Sequence, residues 1–344
     1  MTYFVRSTAL TNYVRVAHEL GIDPHKHLNK AGIRRAALLD PTTMIPADAL
    51  RSLLTASAKT AGIEDFGLRM AETRQLTDLG PLGFAIQGAP TLRKALESMI
   101  RYLRLQSETV VMVIEEVDEL LVIRESLLIE GSMAQRQSIE LVVGGVFRLL
   151  KRSLGDAWKP RSICFSHSAP KGPTRHAHVF GMPVLFDQEF DGIVCRAVDL
   201  EAPLAAYDPL MASEVQAHLD SLLENAHLSF AEAVRRLVLS MLPSGTCSID
   251  NVAQHLGMDR RTVHRKLLRE GETYSAIYDG VRSGLAIRLV ESKHRSLAEM
   301  ATQVGFSSAS AFARWFCGRF GCTTTQWQAQ RAAEPIRKNS EASR

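Results

Sequence analysis

Two segments in the last third of the chain share one pattern of residues. The first, SIDNVAQHLGMDRRTVHRKLL, runs from Ser248 to Leu268, and the second, SLAEMATQVGFSSASAFARWF, runs from Ser296 to Phe316. Each begins with a serine that can cap a helix, continues through about two apolar turns to a glycine, and then opens a second helix with Asp or Ser. This order is typical of a helix-turn-helix, and two copies predict two DNA-reading units on one chain.

Polar residues at the predicted helix ends support this interpretation. Ser296 and Glu299 fit a capping box, in which each side chain accepts a hydrogen bond from the other residue's backbone N–H. Ser248 occupies the same position in the first copy. We expect Asp259 and Ser307 to cap the second helix of each pair, because their side-chain oxygens can accept from unpaired N–H groups.

Gly257 and Gly305 lie 48 residues apart, each at the end of the first helix of its copy. A residue that ends a helix in the left-handed conformation is most often glycine, which adopts it at little cost. A single copy would fit an ordinary packed helical hairpin equally well. The repetition favours the DNA-reading interpretation.

The second helix of the first copy has two distinct faces. Val263 and Leu267 are four residues apart and are expected to point to the core. The opposite face carries Arg261, His264, Arg265 and Arg269. Exposed arginines often form only a solvated face. Here they lie on the helix that should enter the major groove, where arginine can donate two hydrogen bonds to guanine O6 and N7.

In the second copy, Phe312 and Phe316 are expected to point inward and Ser310 and Arg314 outward, with Ala311 beside them. Small side chains can touch thymine methyl groups but offer few hydrogen bonds to base edges. We therefore expect the first copy to discriminate DNA sequence more strongly than the second.

The segment between the copies predicts one amphipathic helix, from about 273 to 291. Its apolar stripe consists of Tyr274, Ile277, Val281, Leu285 and Leu289. A helix of about 19 residues is roughly 28 Å long, and successive major grooves on one DNA face lie about 34 Å apart. Such a spacer could hold both reading helices in adjacent turns of one duplex.

Residues 230 to 330 resemble the DNA-binding domain of AraC/XylS-type transcription regulators. The most specific stretch, SLAEMATQVGFSSASAFARWFCGRFG, contains an A-x-x-x-G-F turn, aromatic positions with a basic residue, and a final F-G. The family usually has a proline after that F-G, whereas this chain has three threonines at 323–325, one of which can cap the closing helix. The resemblance implies base contacts by Arg261, His264, Arg265, Ser308, Ser310, Ala311 and Arg314.

Residues 10 to 225 resemble the effector-binding region of ornithine-utilisation and virulence-type AraC regulators. The resemblance rests on the order of short motifs, including LGPLG at 79–83, APTLRKAL at 89–96 and FGMPVLF at 180–186. It implies an effector domain but carries no agreed set of ligand residues, so the effector and its binding residues are not assigned.

The N-terminal region has an α+β pattern. Helices are predicted near 8–20, 47–61, 81–87, 91–105, 133–154 and 208–225, and strands near 109–115, 120–124, 161–166 and 193–196. The predicted architecture is an α+β effector and oligomerisation domain at 1–226, followed by an all-α DNA-binding domain at 227–344. Within the latter, the helix-turn-helix motifs span about 248–269 and 296–319, joined by the linker helix at 273–291.

The charge is unevenly distributed along the chain. The whole sequence has a formal net charge of +4, but residues 227–344 contain 17 basic and 10 acidic residues, a net +7, which leaves −3 for the remainder. Excess positive charge on the segment with the reading helices would favour attraction to DNA phosphates.

Several other classes of protein are disfavoured. The chain opens MTYFVR, without a secretory signal, and has no apolar run long enough to predict a membrane span. The five cysteines include no C-x-x-C pair, which favours reduced thiols in the cytoplasm. The sequence also contains no P-loop, G-x-G-x-x-G or G-x-S-x-G motif, so no catalytic site or cofactor is predicted.

Histidines provide the strongest alternative sites. His25 with His27, and His176 with His178, are spaced like metal ligands, but neither pair has a Cys or carboxylate at zinc-ligand spacing nearby, so no metal site is predicted. His167, Arg175 and His178 are predicted to lie in a Pro/Gly-rich loop around APKGPT at 169–174. They could bind an acidic ligand or lie on a surface loop, and the second interpretation is favoured.

The sequence thus predicts a transcription regulator that binds double-stranded promoter DNA and responds to a small-molecule effector. Activation is the commoner behaviour in the resembling family, and RNA polymerase and a second copy of the chain are expected partners. The alternative is a DNA repair alkyltransferase-like enzyme fused to a DNA-binding module. That chemistry needs an activated cysteine in a Pro-Cys-His-Arg context, whereas Cys164 lies in Ile-Cys-Phe and Cys195 in Val-Cys-Arg.

Overall fold

The computed structural model describes residues 3–128, 135–172, 174–204, 208–225, 229–242, 245, 247–256, 258–291 and 296–333. These residues form two compact units, which meet in sequence between residues 225 and 229. The first contains helices and strands, and the described part of the second contains helices alone. The expected α+β region followed by an all-α region is confirmed.

Strands and helices alternate irregularly along the first unit. Its helices are α1 (Tyr13–Glu19), α2 (Pro24–Lys30), α3 (Ala47–Ala61), α4 (Phe66–Ala71), α5 (Pro81–Gln87), α6 (Leu92–Tyr102), α7 (Arg136–Leu154), α8 (Thr174–Phe180) and α9 (Pro209–Asn225). Its strands are β1 (Phe4–Arg6), β2 (Met44–Pro46), β3 (Val110–Val117), β4 (Leu120–Leu127), β5 (Ser162–Cys164) and β6 (Asp191–Arg196). Short 3-10 helices cover Ser7–Leu10, Arg35–Leu38, Leu76–Leu79, Leu103–Leu105 and Ala197–Glu201.

The larger sheet is antiparallel, with the strand order β3-β4-β6-β5. β3 and β4 form a hairpin in which Asp118 has a φ of 56° at the turn. Leu121, Ile123 and Leu127 alternate along β4 and are buried. This period of two places one face of the sheet against the helices, and β1 and β2 pair separately.

α7 lies between the two apolar clusters of the first unit. Leu141 belongs to one cluster, and Val143 and Phe147 belong to the other. Gly144 permits close packing, because a Cβ there would lie 2.7 Å from the Cβ of Ala71 on α4. The absence of a side chain at Gly144 therefore lets α7 and α4 approach each other closely.

Several predicted boundaries differ from the structure. The helix predicted at 8–20 is interrupted at Asn12, whose φ of 67° is left-handed, so a 3-10 helix precedes α1. The predicted 91–105 helix is α6 followed by a 3-10 turn. β4 continues beyond the predicted strand at 120–124, because Leu127 pairs with Val110.

The second unit consists of two helix-turn-helix pairs and the helices around them. Its helices are α10 (Phe230–Met241), α11 (Ile249–His255), α12 (Arg260–Arg269), α13 (Tyr274–Glu291), α14 (Leu297–Gln303), α15 (Ala309–Phe320) and α16 (Thr324–Ala333). The first pair is α11 and α12, the second is α14 and α15, and α13 joins them. Among the described helices, we find none that combines the length and apolar character that a membrane crossing requires.

The predicted caps are present with one exception. Oγ of Ser248 accepts from the backbone N–H of Asn251 at 3.1 Å, and a carboxylate oxygen of Asp259 accepts from Thr262 at 2.8 Å. Ser296 and Glu299 form the reciprocal capping box. Each bond satisfies a helix N–H group that would otherwise lack a partner.

The prediction that Ser307 caps α15 is wrong, because the helix begins one residue later than expected. Ser308 has the extended backbone conformation of an N-cap, and its Oγ accepts from the backbone N–H of Ala311 at 3.2 Å. Gly305 has the expected left-handed conformation, with a φ of +76°. Gly257 lies outside the described residues.

α13 is buried on more sides than the predicted stripe suggests. Ile277, Val281 and Leu289 are buried as expected, but Ala286 and Val290 are also fully buried. The first half of the helix packs on α10, whereas the second half joins the apolar cluster of the second helix-turn-helix. The predicted linker helix is present as α13, and its burial extends beyond the predicted apolar stripe.

Candidate nucleic-acid interface and cavity

α12 presents a cationic face to solvent. Arg261, His264 and Arg265 are exposed, while Val263 and Leu267 on the other side of the helix are fully buried. Within the described part of the chain, no ion pair or side-chain hydrogen bond occupies those three exposed side chains. They are consequently free to donate to an external acceptor.

Leu268 belongs to the same outward face, since it follows His264 by four residues and Arg265 by three. Its side chain is 65% exposed, which is unusual for a leucine beside a core position. Sequence analysis missed this residue, because two adjacent leucines at the end of an amphipathic helix fit a core pattern equally well. The face is thus cationic with an apolar end.

The last turn of α12 is fixed to the first turn of α10. The two carboxylate oxygens of Glu270 accept from the backbone N–H groups of Phe230 at 2.7 Å and Ala231 at 2.8 Å. Nζ of Lys266 also lies 5.1 Å from the centre of the Phe230 ring, a cation–π contact. These contacts set the orientation of the exposed cationic face.

α15 presents a smaller polar face. Ser310 and Arg314 are exposed, Ala311 is half-buried, and Phe312 is fully buried on the opposite side. The hydroxyl of Ser308 is engaged as the helix cap and lies 3.2 Å from the Oγ of Ser310. The structure thus brings the four predicted contact residues together in the first turns of α15.

Arg282 of α13 joins the linker to the second helix-turn-helix. Its guanidinium lies 4.4 Å from the centres of both the Tyr278 and Phe306 rings. Nε of Arg319 on α15 is 3.3 Å from the hydroxyl of Ser283. Stacking and hydrogen bonding therefore hold α15 against the linker helix.

The histidines of the described residues are not arranged as metal ligands. Nε2 of His176 lies 2.9 Å from Oε1 of Glu140, and both side chains are fully buried. Among the residues that the structure describes, no group of three or more His, Cys, Asp or Glu side chains is placed to hold a metal ion. His176 instead joins α8 to α7.

The proposed surface loop at Arg175 and His178 is helical, since both residues lie in α8. Arg175 pairs with Glu72, and Nε2 of His167 lies 3.4 Å from Oε1 of Glu140. Burial lowers the pKa of His167 to about 4. Of the three residues considered for an acidic ligand, Arg175 is therefore paired with a carboxylate of the chain itself, and burial leaves His167 uncharged near neutral pH.

The buried cysteines are not activated. Burial raises the pKa of Cys164, and it raises the pKa of Cys195 to about 12. A thiol is nucleophilic as its thiolate, which these environments disfavour. Neither cysteine has the chemistry that the alkyltransferase alternative requires.

The first unit contains a cavity of about 320 Å³ between α7, β3 and the chain near residue 76. Apolar side chains form most of its wall, among them Leu50, Met99, Met112, Leu127, Val142 and Leu149. The volume lies at the lower end of the range for small-molecule pockets. Its wall draws on residues scattered from 5 to 156, so no local sequence signal could have located it.

Basic side chains form the charged part of this cavity together with Asp78 and Asp156, and hydroxyl and amide side chains such as Ser107, Thr109 and Gln106 also line it. Arg74 lies in the wall, where one Nη2–H donates to the carbonyl of Thr8 at 3.2 Å and the buried Nε has no hydrogen-bond partner among the described residues. Burial lowers the pKa of Arg74, because desolvation penalises its charge. Arg148 and Arg152 are exposed and lie one turn apart on α7, at the rim.

Both regions of the chain match known families. Residues 21–204 match the family described as the arabinose-binding domain of AraC transcription regulator, N-terminal, and this match covers more than half of the 344 residues. Residues 252–330 match a helix-turn-helix domain family.

The relatives are regulators of transcription. The HTH-type transcriptional regulator VirS of Mycobacterium tuberculosis is 26% identical over 327 residues, covering 94% of this chain and 96% of VirS. The ornithine utilization regulator of Pseudomonas aeruginosa is 23% identical over 303 residues, covering 87% of this chain and 88% of that regulator. The crystal structure of the transcriptional regulator CdpR from Pseudomonas aeruginosa is similar over 89% of this chain and 96% of CdpR, with 18% identity and a TM-score of 0.45.

The family match extends over most of the first unit, and the relatives align along nearly the whole chain. The second unit carries the paired helix-turn-helix motifs that DNA-binding regulators use. The chain therefore belongs to the AraC-type transcription regulators, with an N-terminal domain of the effector-binding type and a C-terminal DNA-binding domain.

Proposed function

We propose that this regulator reads its promoter mainly with Arg261, His264 and Arg265 of α12. The observation that carries this proposal is that all three side chains are exposed on one helix face and have no partner among the described residues. Arginine donates to guanine O6 and N7 in the major groove, and such a contact is worth about 1–3 kcal/mol of discrimination.

The second helix-turn-helix plays a weaker part in sequence discrimination, through Ser308, Ser310, Ala311 and Arg314. Ser308 is already used as the helix cap, and Ala311 is half-buried. Arg314 is then the main side chain of this set that can donate to a base edge or a phosphate. We expect Arg261→Ala to relax sequence preference more than Arg314→Ala does.

The linker helix spaces the two reading helices. α13 has 18 residues, which correspond to a length of about 27 Å, compared with about 34 Å between successive major grooves. Packing on α10 at one end and on the second helix-turn-helix at the other supports a rigid spacer. The two reading helices would enter adjacent turns of one duplex.

We place the boundary between the two domains near residue 226. The effector occupies the cavity of the N-terminal domain. A ligand that binds one arrangement of the chain more tightly than another shifts the population toward the first. The regulator acts as an activator in the cytoplasm, where promoter DNA and RNA polymerase are available, and it works as a homodimer. Family membership supports these expectations.

The decisive experiment selects binding sites for the full chain from a library of randomised duplexes. The affinity for the selected site is then compared with the affinity for a shuffled duplex at physiological salt, using the wild type, Arg265→Ala, and the matched surface control Arg34→Ala. We expect a preference for the selected site that Arg265→Ala reduces and Arg34→Ala leaves unchanged. Equal affinity of the wild type for both duplexes would contradict the proposal.

A further inference from the structure

The wall of the N-terminal cavity suits an apolar body. Aliphatic and methionine side chains from α3, α6, β3, β4 and α7 face the space. A ligand with many hydroxyl groups would need a hydrogen-bond partner for each one, because burial of an unpaired polar group is costly. Uncharged polar residues also line the cavity, but Gln106 donates to the carbonyl of Leu79, and the hydroxyls of Ser107 and Thr109 hydrogen-bond each other. The remaining apolar stretch of the wall therefore favours a hydrocarbon chain or ring over a sugar.

The polar groups of the cavity suit an anion. Arg74, Arg148, Lys151 and Arg152 all border it, and none of them forms a salt bridge with a carboxylate of the described residues. Lys151 is engaged with the backbone carbonyls of Asp156 and Trp158. The acidic residues at the cavity are Asp78 and Asp156, so cations are in excess there.

Arg74 is the most specific of these cations. An arginine has five N–H donors, and the side chain of Arg74 uses one of them, on the carbonyl of Thr8. Its Nε is buried and has no hydrogen-bond partner among the described residues, a situation that costs free energy until an acceptor binds. A carboxylate is the acceptor that matches the planar guanidinium, because its two oxygens can take parallel hydrogen bonds.

We infer that this cavity binds a monocarboxylic acid with an apolar body, such as a medium-chain fatty acid or an aryl-alkanoic acid. The carboxylate pairs with Arg74 in the cavity wall, and the apolar body lies along Met99, Met112 and Leu127. The inference rests on the proposed function in one respect, namely that this cavity holds the effector. An amino acid with a cationic side chain fits less well, because it would add positive charge beside Arg74, Arg148 and Arg152.

Calorimetric titration of the full chain tests the inference with a set of matched probes. Octanoate and phenylbutyrate supply the carboxylate with a straight or an aromatic body, octanol removes the carboxylate, and L-arabinose and L-ornithine represent the disfavoured classes. We expect at least tenfold tighter binding of one of the two acids than of octanol, arabinose or ornithine. Equal binding of the acids and octanol, or no binding of either acid, overturns the inference.

Variants locate the bound acid. Arg74→Gln removes the charge but keeps a polar side chain, and we expect it to weaken binding of the preferred acid at least tenfold. Arg34→Gln, on an exposed surface away from the cavity wall, is the matched control and should leave binding unchanged. An unchanged affinity in Arg74→Gln contradicts the assignment.

A second variant covers the case in which Arg74→Gln does not fold. Gly145 lines the cavity from α7, where an added Cβ would make an ordinary contact of 3.9 Å with Arg74. Gly145→Leu should therefore fold and fill part of the space, with at least tenfold loss of acid binding. Full-strength binding in a folded Gly145→Leu chain places the acid elsewhere and overturns the inference.

DNA binding separates this inference from the proposed function. If the acid binds in the cavity but leaves the affinity for the selected duplex unchanged, the ligand class stands and the effector role fails. If the chain selects DNA but neither acid binds, the DNA-reading proposal stands and the inferred ligand class fails.

Discussion

The side chains along α12 differ in the partners that remain open to them. Arg265 is exposed on the same face as Arg261, whereas Lys266 is occupied by the Phe230 ring. A formal count of positive charges therefore overstates the number of cations that are free to read bases. Exposure and existing contacts distinguish the cations that can bind bases, such as Arg265, from those that already contact the chain, such as Lys266.

Arg265→Ala should reduce affinity for the selected duplex by about 1–3 kcal/mol and relax preference at one base pair, because a bidentate base contact is lost. Affinities for single-base variants of the site, measured by fluorescence anisotropy, would show which pair is affected. Arg269→Ala, in the last turn of the same helix, is the comparison. Uniform weakening across all site variants by Arg265→Ala would indicate a phosphate contact instead.

His167 should make the first unit less stable in acid. Its folded-state pKa of about 4 lies below the ordinary 6.5, since burial disfavours the charged ring. The unfolded chain therefore takes up the proton first, and stability is lost as the pH falls from about 6.5 toward 4. Between pH 7 and pH 5, we expect His167→Gln to lose about 1–2 kcal/mol less stability than the wild type.

Urea unfolding of both proteins at the two pH values measures this difference. Burial raises the pKa of the neighbouring Glu140, which acts in the opposite direction, and the comparison between variant and wild type separates the two contributions. Parallel loss of stability in the two proteins would show that His167 is not responsible.

Sequence reasoning placed the exposed arginines correctly, because helical periodicity separates them from Val263 and Leu267. It placed the cap of α15 one residue too early, since Ser307 and Ser308 have the same capping chemistry. Only the backbone conformation of Ser308 distinguishes them.

At the scale of elements, substitution by alanine should have opposite effects on stability at two glycines of the second unit, Gly284 and Gly305. Gly284 lies within α13, and an added Cβ there would have no heavy atom within 4 Å. Gly284→Ala should stabilise the chain by about 0.5–1 kcal/mol, through helix propensity. Gly305→Ala should destabilise it by about 1–2 kcal/mol, because its φ of +76° is unfavourable for a residue with a Cβ.

Thermal unfolding of the two variants beside the wild type tests this contrast. Both variants replace one glycine by alanine in the same unit, so any difference between their stabilities comes from the position of the glycine and not from the change in composition. Destabilisation by Gly284→Ala would contradict the prediction, and it would indicate that α13 needs a kink or a break at that position.

The helices with clear signals were well predicted, and α3 and α5 have the predicted bounds of 47–61 and 81–87. α8 was missed, because a Pro/Gly-rich stretch precedes it and its histidines were considered only as candidate ligand-binding residues. Tertiary burial of His176 against Glu140 stabilises that short helix, and this contact between distant residues leaves no periodic signal.

At the scale of the whole molecule, DNA binding should depend steeply on salt. Residues 227–344 carry a net charge of +7, and cations that neutralise phosphates release counterions. If six or more phosphates are contacted, affinity should fall about a thousandfold or more between 50 and 200 mM salt.

Anisotropy titrations over that range measure the salt slope, and a shuffled duplex serves as the control. We expect similar slopes with weaker absolute binding for the shuffled duplex. An affinity that barely changes with salt would argue against phosphate contacts by this unit.

The order of the two units was predictable, because the helix-turn-helix signals and the α+β pattern occupy separate parts of the chain. The cavity was not predictable, since Arg6, Leu50, Arg74, Met112 and Arg148 come together only after the sheet and α7 have packed. Because these residues are far apart in sequence, no local pattern predicts that a buried arginine lines a largely apolar cavity.

Glu270 has a mechanical consequence. One carboxylate, at the end of α12, accepts from the first two amides of α10, and the Lys266–Phe230 contact joins the same two helix ends. Residue 229 directly precedes α10, and a pull on the backbone there passes to the reading helix through these contacts. We therefore expect a displacement at residue 229 to move the start of α10 and the end of α12 together.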